Sequence, residues 1–284
     1  MIILGRSVTS AVSLLVIGNL LATFGDVSIK SAGHDIPIFQ FIFIRVICTV
    51  LLLLPFYRMV AWSNVFVGSR VHFIRGNIWV LATVLLVLSL QLLPLSTANA
   101  IFYTVPILII VLSTVFFRES LTPMIVLVVI SGFLGILIIL RPTEISWGAL
   151  YALAFSFLLA ISSVLIRKLP KGQSLVHGLW MTCVFALPLS FALYLWEGEP
   201  FNVAMLGYVI SSSICSIGYA VASMAAYRYI AANRITSAEY TGLIFAVLAG
   251  WLLFDEEPDI WFALGAVFII VPVYLLGRTK RKIK

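Results

Sequence analysis

Apolar residues run along this chain in ten long blocks separated by short polar or charged stretches. The blocks predict membrane-spanning helices at residues 8–29, 37–58, 72–93, 96–117, 123–140, 146–166, 174–195, 203–230, 234–254 and 260–277. Most approach the ~20 residues that a helix needs to cross ~30 Å of hydrocarbon. The eighth runs for about 28 residues before the next basic loop, so it must tilt or emerge from the bilayer. The first starts after a lone Arg6, as a secretory signal would, but continues for about 20 residues with nine further blocks behind it, and is expected to remain as a helix in the membrane. The connecting stretches are too short to form an extramembrane domain, so any chemistry must lie inside the bundle or at its mouths.

A shift of 137 residues brings the two halves into register without a gap. Val27, Ile29 and Lys30 meet Val164, Ile166 and Arg167; Tyr103 and Thr104 meet Tyr240 and Thr241; Phe117 and Glu119 meet Phe254 and Glu256. One offset that serves both ends of the unit points to a duplication. Each unit then holds five spans, and an odd number inserts the second copy upside down relative to the first, the plan of secondary transporters. The expected architecture is an all-α polytopic membrane protein of ten helices, with residues 1–141 as the first repeat and 142–284 as the second, inverted one.

Composition agrees with this reading, because 62% hydrophobic and 10% charged residues leave too little polar cover for a water-soluble domain of 284 residues. A formal charge of +7 is also found in nucleic-acid-binding chains, yet here the basic residues sit in short loops and a basic tail beside lipid headgroups. Arg6, Arg58, Arg70, Arg75, Arg118, Arg167, Lys168, Lys171, Arg228, Arg234, Arg278, Lys280, Arg281, Lys282 and Lys284, fifteen of the 18, fall on one set of alternating loops and the termini. Basic loops stay on the cytoplasmic side, so both termini are expected there, in a bacterial inner membrane. Cys48, Cys183 and Cys215 lie inside apolar blocks, an odd number without CxxC spacing, and predict neither a disulfide framework nor a zinc site.

Polar groups inside the spans mark candidate site residues, since hydrocarbon makes them costly. Asn19, Thr23, Asp26 and Lys30 share one face of span 1, and the equivalent positions Ser156, Ala160, Ser163 and Arg167 are small or polar and also end in a base. Asp26 with Lys30, and Ser163 with Arg167, are the candidate gates at opposite mouths. In span 6, the four-residue spacing of Gly148, Ala152, Ser156 and Ala160 reads equally as a close helix contact. Span 4 carries Ser96, Asn99, Tyr103 and Pro106 on one face; the proline frees the Phe102 carbonyl and makes a kink, so Pro106 is the hinge candidate. Glu239 and Tyr240 in span 9, Arg45 in span 2 and Trp79 in span 3 complete the cavity candidates. Glu239 reads either as a ligand or coupling-proton group or as the partner of Arg234, and Arg45 either as a carboxylate clamp or as a tether between helices. Trp180 also sits within a span, and span 8 is rich in small residues from Ser211 to Ala226.

No catalytic residue, metal or cofactor is expected. His34, His72 and His177 stand near span ends without metal-ligand spacing, and no HExxH helix or nucleophile with its base is present. A channel or facilitator is the alternative to a carrier, although nothing resembles a filter-forming loop.

The Arg75-Gly76 pair, LPLSTANAIFYTVPILIIVLSTVFFRES from Leu93 to Ser120, SGFLGILIILRP from Ser131 to Pro142, and ANRITSAEYTGLIFAVLAGWLLFDEEP from Ala232 to Pro258 resemble the drug/metabolite transporter superfamily, specifically its EamA-type ten-span members. The resemblance covers essentially the whole chain. It implies two inverted five-helix repeats, a central cavity between spans 1–4 and 6–9, and secondary transport, often export, of amino acids, vitamins or cofactor-like metabolites, with a small-molecule substrate and the bilayer as partners. Pro106 matches the family's proline in the fourth span and Leu243 departs from it in the ninth. Glu119 and Glu256 match the acidic residue closing those two spans, where a helix-end role is expected. Small antiporters of the same superfamily carry a glutamate in their first span; here Asn19 and Asp26 stand in that region instead.

Overall fold

The computed structural model describes residues 7–62, 65–117, 123–140, 146–170, 173–227, 238 and 241–279. Among them every regular element is helical. The α-helices are α1 (Val8–Ser31), α2 (Ile38–Leu53), α3 (Ser69–Leu92), α4 (Leu95–Phe102), α5 (Val105–Phe117), α6 (Pro123–Leu140), α7 (Trp147–Leu165), α8 (Leu175–Glu197), α9 (Leu206–Tyr227), α10 (Thr241–Phe254) and α11 (Ile260–Thr279). Serine hydroxyls start three of them by taking an orphan backbone N–H: Ser7 from Ser10, Ser146 from Ala149 and Ser174 from His177. The last turn of α8 is closed by Gly198, whose φ of 66° suits a residue without a Cβ.

Seven described segments are long and apolar enough to cross a membrane: Val8–Ser31, Ile38–Met59, Ser69–Leu92, Leu95–Phe116, Trp147–Leu165, Val176–Glu197 and Val203–Ala226. Three shorter apolar helices, Val129–Ile139, Thr241–Phe254 and Ile260–Pro272, lie where the fifth, ninth and tenth spans are expected. Two expected spans differ in detail. The second leaves α-geometry at Leu53 and finishes as a 3-10 segment, Leu54–Met59, around Pro55. The fourth is broken rather than bent: α4 stops at Phe102, residues 103 and 104 form a turn, and α5 starts at Val105. Pro106 causes the break because it has no N–H to return to the Phe102 carbonyl.

Packing follows the repeat. The α1–α9 interface, the most extensive, has its counterpart in α3–α7; α3–α8 is matched by α2–α9, and α5–α7 by α1–α10. Helices α2 and α8, and α6 and α11, each touch their own equivalent, and α4 of the fourth span touches α10 of the ninth. Such a pattern is that of a two-fold relation between halves. It is visible at single atoms in the α6–α11 contact, where the Ser131 hydroxyl donates to the Phe268 carbonyl, 137 residues on, at 2.8 Å. A Cβ at Gly135 would stand 2.6 Å from the Gly265 carbonyl oxygen, so these two backbones meet only because both positions are glycine. Large apolar side chains such as Leu51, Phe73, Leu127 and Leu253 point outward around the bundle, a surface that water would not tolerate.

Candidate functional site

A cavity of about 340 Å³ lies at the centre, between α1, α2, α3, α4, α7 and α9. Its lining obeys the internal offset: Ala22 and Leu159, Gly25 and Ser162, Trp79 and Ser216, and Ala82 and Tyr219 are pairs 137 residues apart that all face it. The cavity therefore lies on the relation between the two halves.

Of the expected cavity residues, Asn19, Arg45, Trp79, Asn99 and Tyr103 line it. The gate candidate Asp26 lines it as well. Asn99 donates its side-chain amide to Asp26 Oδ2 and to the Leu95 carbonyl, both at 3.1 Å, which holds the carboxylate at the wall. Asn19 donates to the Ala238 carbonyl at 2.9 Å and to Thr241 Oγ1 at 3.1 Å, tying α1 to the start of α10. Arg45 donates from Nη2 to Ser216 Oγ at 2.6 Å and lies over the Trp79 ring, 5.6 Å from its centroid. Tyr103 sits at the break between α4 and α5, and its hydroxyl occupies the space that a Cβ at Gly242 would need. Phe102 and Phe155, edge to face at 4.7 Å, form an apolar wall.

Other candidates lie elsewhere. Thr23 does not face the cavity; its hydroxyl donates to the Asn19 and Gly242 carbonyls, and the residue borders an outer groove with Leu20 and Phe24. Ser163 Oγ is bonded to the Leu159 carbonyl, and its neighbour Ser162 takes the cavity position. On α7, Ala152, Ser156 and Ala160 are fully buried, Ser156 donates to the Ile101 and Ala152 carbonyls, and Gly148 sits against Leu92 and Leu93, so that face is a packing seam. Trp180 stacks edgewise on Trp62 rather than entering the cavity. Glu239 and Tyr240 lie outside the described residues, as do Glu119 and the side chain of Arg167.

Asp26 and Lys30 are separated by the fold. Whereas Asp26 faces the cavity, the Lys30 ammonium forms a 2.9 Å ion pair with Glu256 and donates to the Leu90 and Leu93 carbonyls at 3.1 and 2.6 Å. Glu256 Oε2 also accepts from the Leu95 N–H at 2.6 Å. Glu256 thus does more than close its own helix: it caps α4 and joins α1 and the α3 terminus to the connection between α10 and α11. Beneath this latch an apolar cluster fills the bundle. Most of its members lie nearer the Lys30 end than the cavity residues do, among them Ile29 on α1, Leu90 on α3, Ala98 on α4, Ala152 on α7 and Val209 on α9, while Leu86 belongs to both sets and Ile101 lies past Asn99. The cavity is closed at that end by a packed plug and an ion pair.

Phe155, Leu159, Ser162 and Tyr219 were not singled out by inspection of individual spans, and Ser216 entered only as one of the small residues of span 8. The 137-residue offset applied to Ala22, Gly25, Trp79 and Ala82 was the available signal for four of them.

An all-helical membrane bundle built from two related halves around a central, partly polar cavity is the architecture of a small-solute transporter, and the comparisons agree. The chain belongs to the EamA-like transporter family, whose model matches residues 9–141 and again 146–278, two segments related by the same 137-residue shift. It is similar to the S-adenosylmethionine uptake transporter of Rickettsia conorii, 26% identical over 265 residues, covering 90% of this chain and 88% of that one. It is also similar to the pseudopaline exporter CntI of Pseudomonas aeruginosa, 24% identical across 96% of this chain and 97% of that protein. A riboflavin transporter of Brucella anthropi is 29% identical over 64% of this chain and 68% of its own. A solved crystal structure shares the fold at a TM-score of 0.61, with 18% identity, covering 95% of this chain and 98% of the other. The chain is a multi-pass membrane transporter of small molecules, not an enzyme.

Proposed function

We propose that the chain exports a small metabolite across the bacterial inner membrane by alternating access, with both termini cytoplasmic and with residues 1–141 and 142–284 as two oppositely inserted five-span units. The observation that carries this reading is the closure of the cavity at its Lys30 end. The plug and the Lys30–Glu256 latch seal the end that the loop charges assign to the outside, and a conformation closed on that side is the one in which an exporter loads from the cytoplasm. Because the cavity lining repeats at the same offset as the helix packing, an exchange of roles between the halves opens the Lys30 end and closes the other around one site. Asn19, Arg45, Trp79, Asn99 and Tyr103 contact the solute, and the break at Pro106 lets α4 move against α5.

The test needs no known substrate. In a protein with Cys48, Cys183 and Cys215 replaced, Ala22→Cys places a single thiol in the cavity. A membrane-impermeant maleimide applied from the Lys30 side labels it slowly, and crosslinking Lys30→Cys to Glu256→Cys stops that labelling. Equal labelling with the latch crosslinked refutes alternating access through this end. Export is then read as solute uptake into everted vesicles from a mixture of amino acids, vitamins, nucleosides and polyamines, and uptake confined to right-side-out vesicles refutes the direction.

A further inference from the structure

Among the described residues, the cavity lining holds one cation and one anion that do not pair with each other. Asp26 on α1 is held by Asn99, and Arg45 on α2 is held by Ser216 and the Trp79 ring; among the described residues the ion pair is instead Lys30–Glu256. Arg45 is 6% exposed, yet its Nε has no hydrogen-bond partner although the residue lines the cavity. A buried guanidinium N–H without an acceptor is costly, and it is satisfied when a ligand brings one. Two opposite charges in a low-dielectric cavity would ordinarily collapse together. Here each is engaged by a neutral partner instead, and both residues line the same cavity.

From this geometry we infer that Asp26 and Arg45 form a two-pole site that selects a zwitterionic ligand, with the ligand's carboxylate on the Arg45 guanidinium and its ammonium on the Asp26 carboxylate. The inference rests on the transport reading and specifies its substrate class. Charge balance is the argument. The two residues sum to zero, so a zwitterion completes both poles, whereas a ligand with one charge desolvates the opposite residue and leaves it unmatched. The guanidinium edge presents the fork that a carboxylate accepts. Phe102 and Phe155 provide an apolar surface for the uncharged part of the ligand.

The experiment uses the full chain in detergent or nanodiscs and measures affinity by calorimetry for two matched sets. One is phenylalanine with phenethylamine and 3-phenylpropionate; the other, with wider charge spacing, is 6-aminohexanoate with hexylamine and hexanoate. At least one zwitterion is expected to bind tenfold or more tightly than both of its single-charge partners, about the worth of one charge-assisted hydrogen bond. Arg45→Gln removes the advantage over the amine, Asp26→Asn the advantage over the carboxylate, and Arg45→Lys and Asp26→Glu retain part of each. If the neutral variants do not fold, the wild-type panel decides alone. The inference is overturned if neither zwitterion binds, or if the single-charge partners bind as well. A protein that fails this panel but still alternates in the ligand-free labelling assay keeps the transport mechanism and loses the substrate class.

Discussion

Replacing Lys30 with methionine should open the sealed end. The change keeps the aliphatic length but removes three contacts, to Glu256, Leu90 and Leu93. Breaking a fully buried ion pair costs about 3–5 kcal/mol. The two side chains here keep 14% and 15% exposure, so water screens part of that loss, and about 2 kcal/mol is the discounted figure. In the alternate conformation Lys30 is hydrated and the substitution costs little, so nearly the whole loss biases the equilibrium, by roughly 30-fold. The rate at which an impermeant maleimide labels Ala22→Cys from the Lys30 side should rise by about that factor. Glu256→Gln keeps the acceptor for the Leu95 N–H and gives a smaller rise, about fivefold for about 1 kcal/mol. In the double variant the two effects should fall short of additive, because each removes the same pair. Unchanged labelling in folded Lys30→Met protein, or additive effects in the pair, would refute the latch.

Gly76→Leu should disrupt the α3–α8 contact, since even a Cβ there would meet the Thr182 carbonyl oxygen at 2.6 Å and the Ala186 nitrogen at 3.0 Å; a melting temperature in detergent equal to wild type contradicts a loss of about 1–3 kcal/mol. Glu197 accepts from the Phe39 and Gln40 N–H groups at 3.0 and 2.8 Å and so caps α2 from outside the cavity; Glu197→Ala should cost about 1 kcal/mol in stability while the Ala22→Cys labelling rate stays unchanged. Trp79→Leu removes the ring beneath Arg45 and should weaken binding of the preferred zwitterion several-fold, about 1 kcal/mol, with no effect on maleimide access from the Lys30 side.

The residues differ in how far their roles could be read in advance. Asn19, Asn99 and Tyr103 were legible because a polar group within an apolar block must face something other than lipid. Thr23 follows the same rule yet packs outside the cavity, because a hydroxyl can satisfy itself on the carbonyl four residues back, as it does with Asn19. Glu256 was read as a helix-end residue, and periodicity could say no more, since its partner Lys30 lies 226 positions away across the bundle. The opposite holds for Ser162 and Tyr219, which carry no signal of their own and become visible only when the first repeat is laid over the second.

Sequence alone determined the solvent, the helices and the duplication: long apolar blocks exclude water, each block satisfies its own backbone by coiling, and a constant 137-residue shift betrays two copies. Tertiary structure decided which polar groups meet. Asp26 and Lys30 share one helix face, but that face passes from the cavity into the latch within one turn, and only the packing of α3, α4 and the α10–α11 connection against it sends one residue to the solute's space and the other to Glu256. Helical periodicity assigns a residue to a side of its own helix; the partner on that side is set by contacts between segments far apart in the chain.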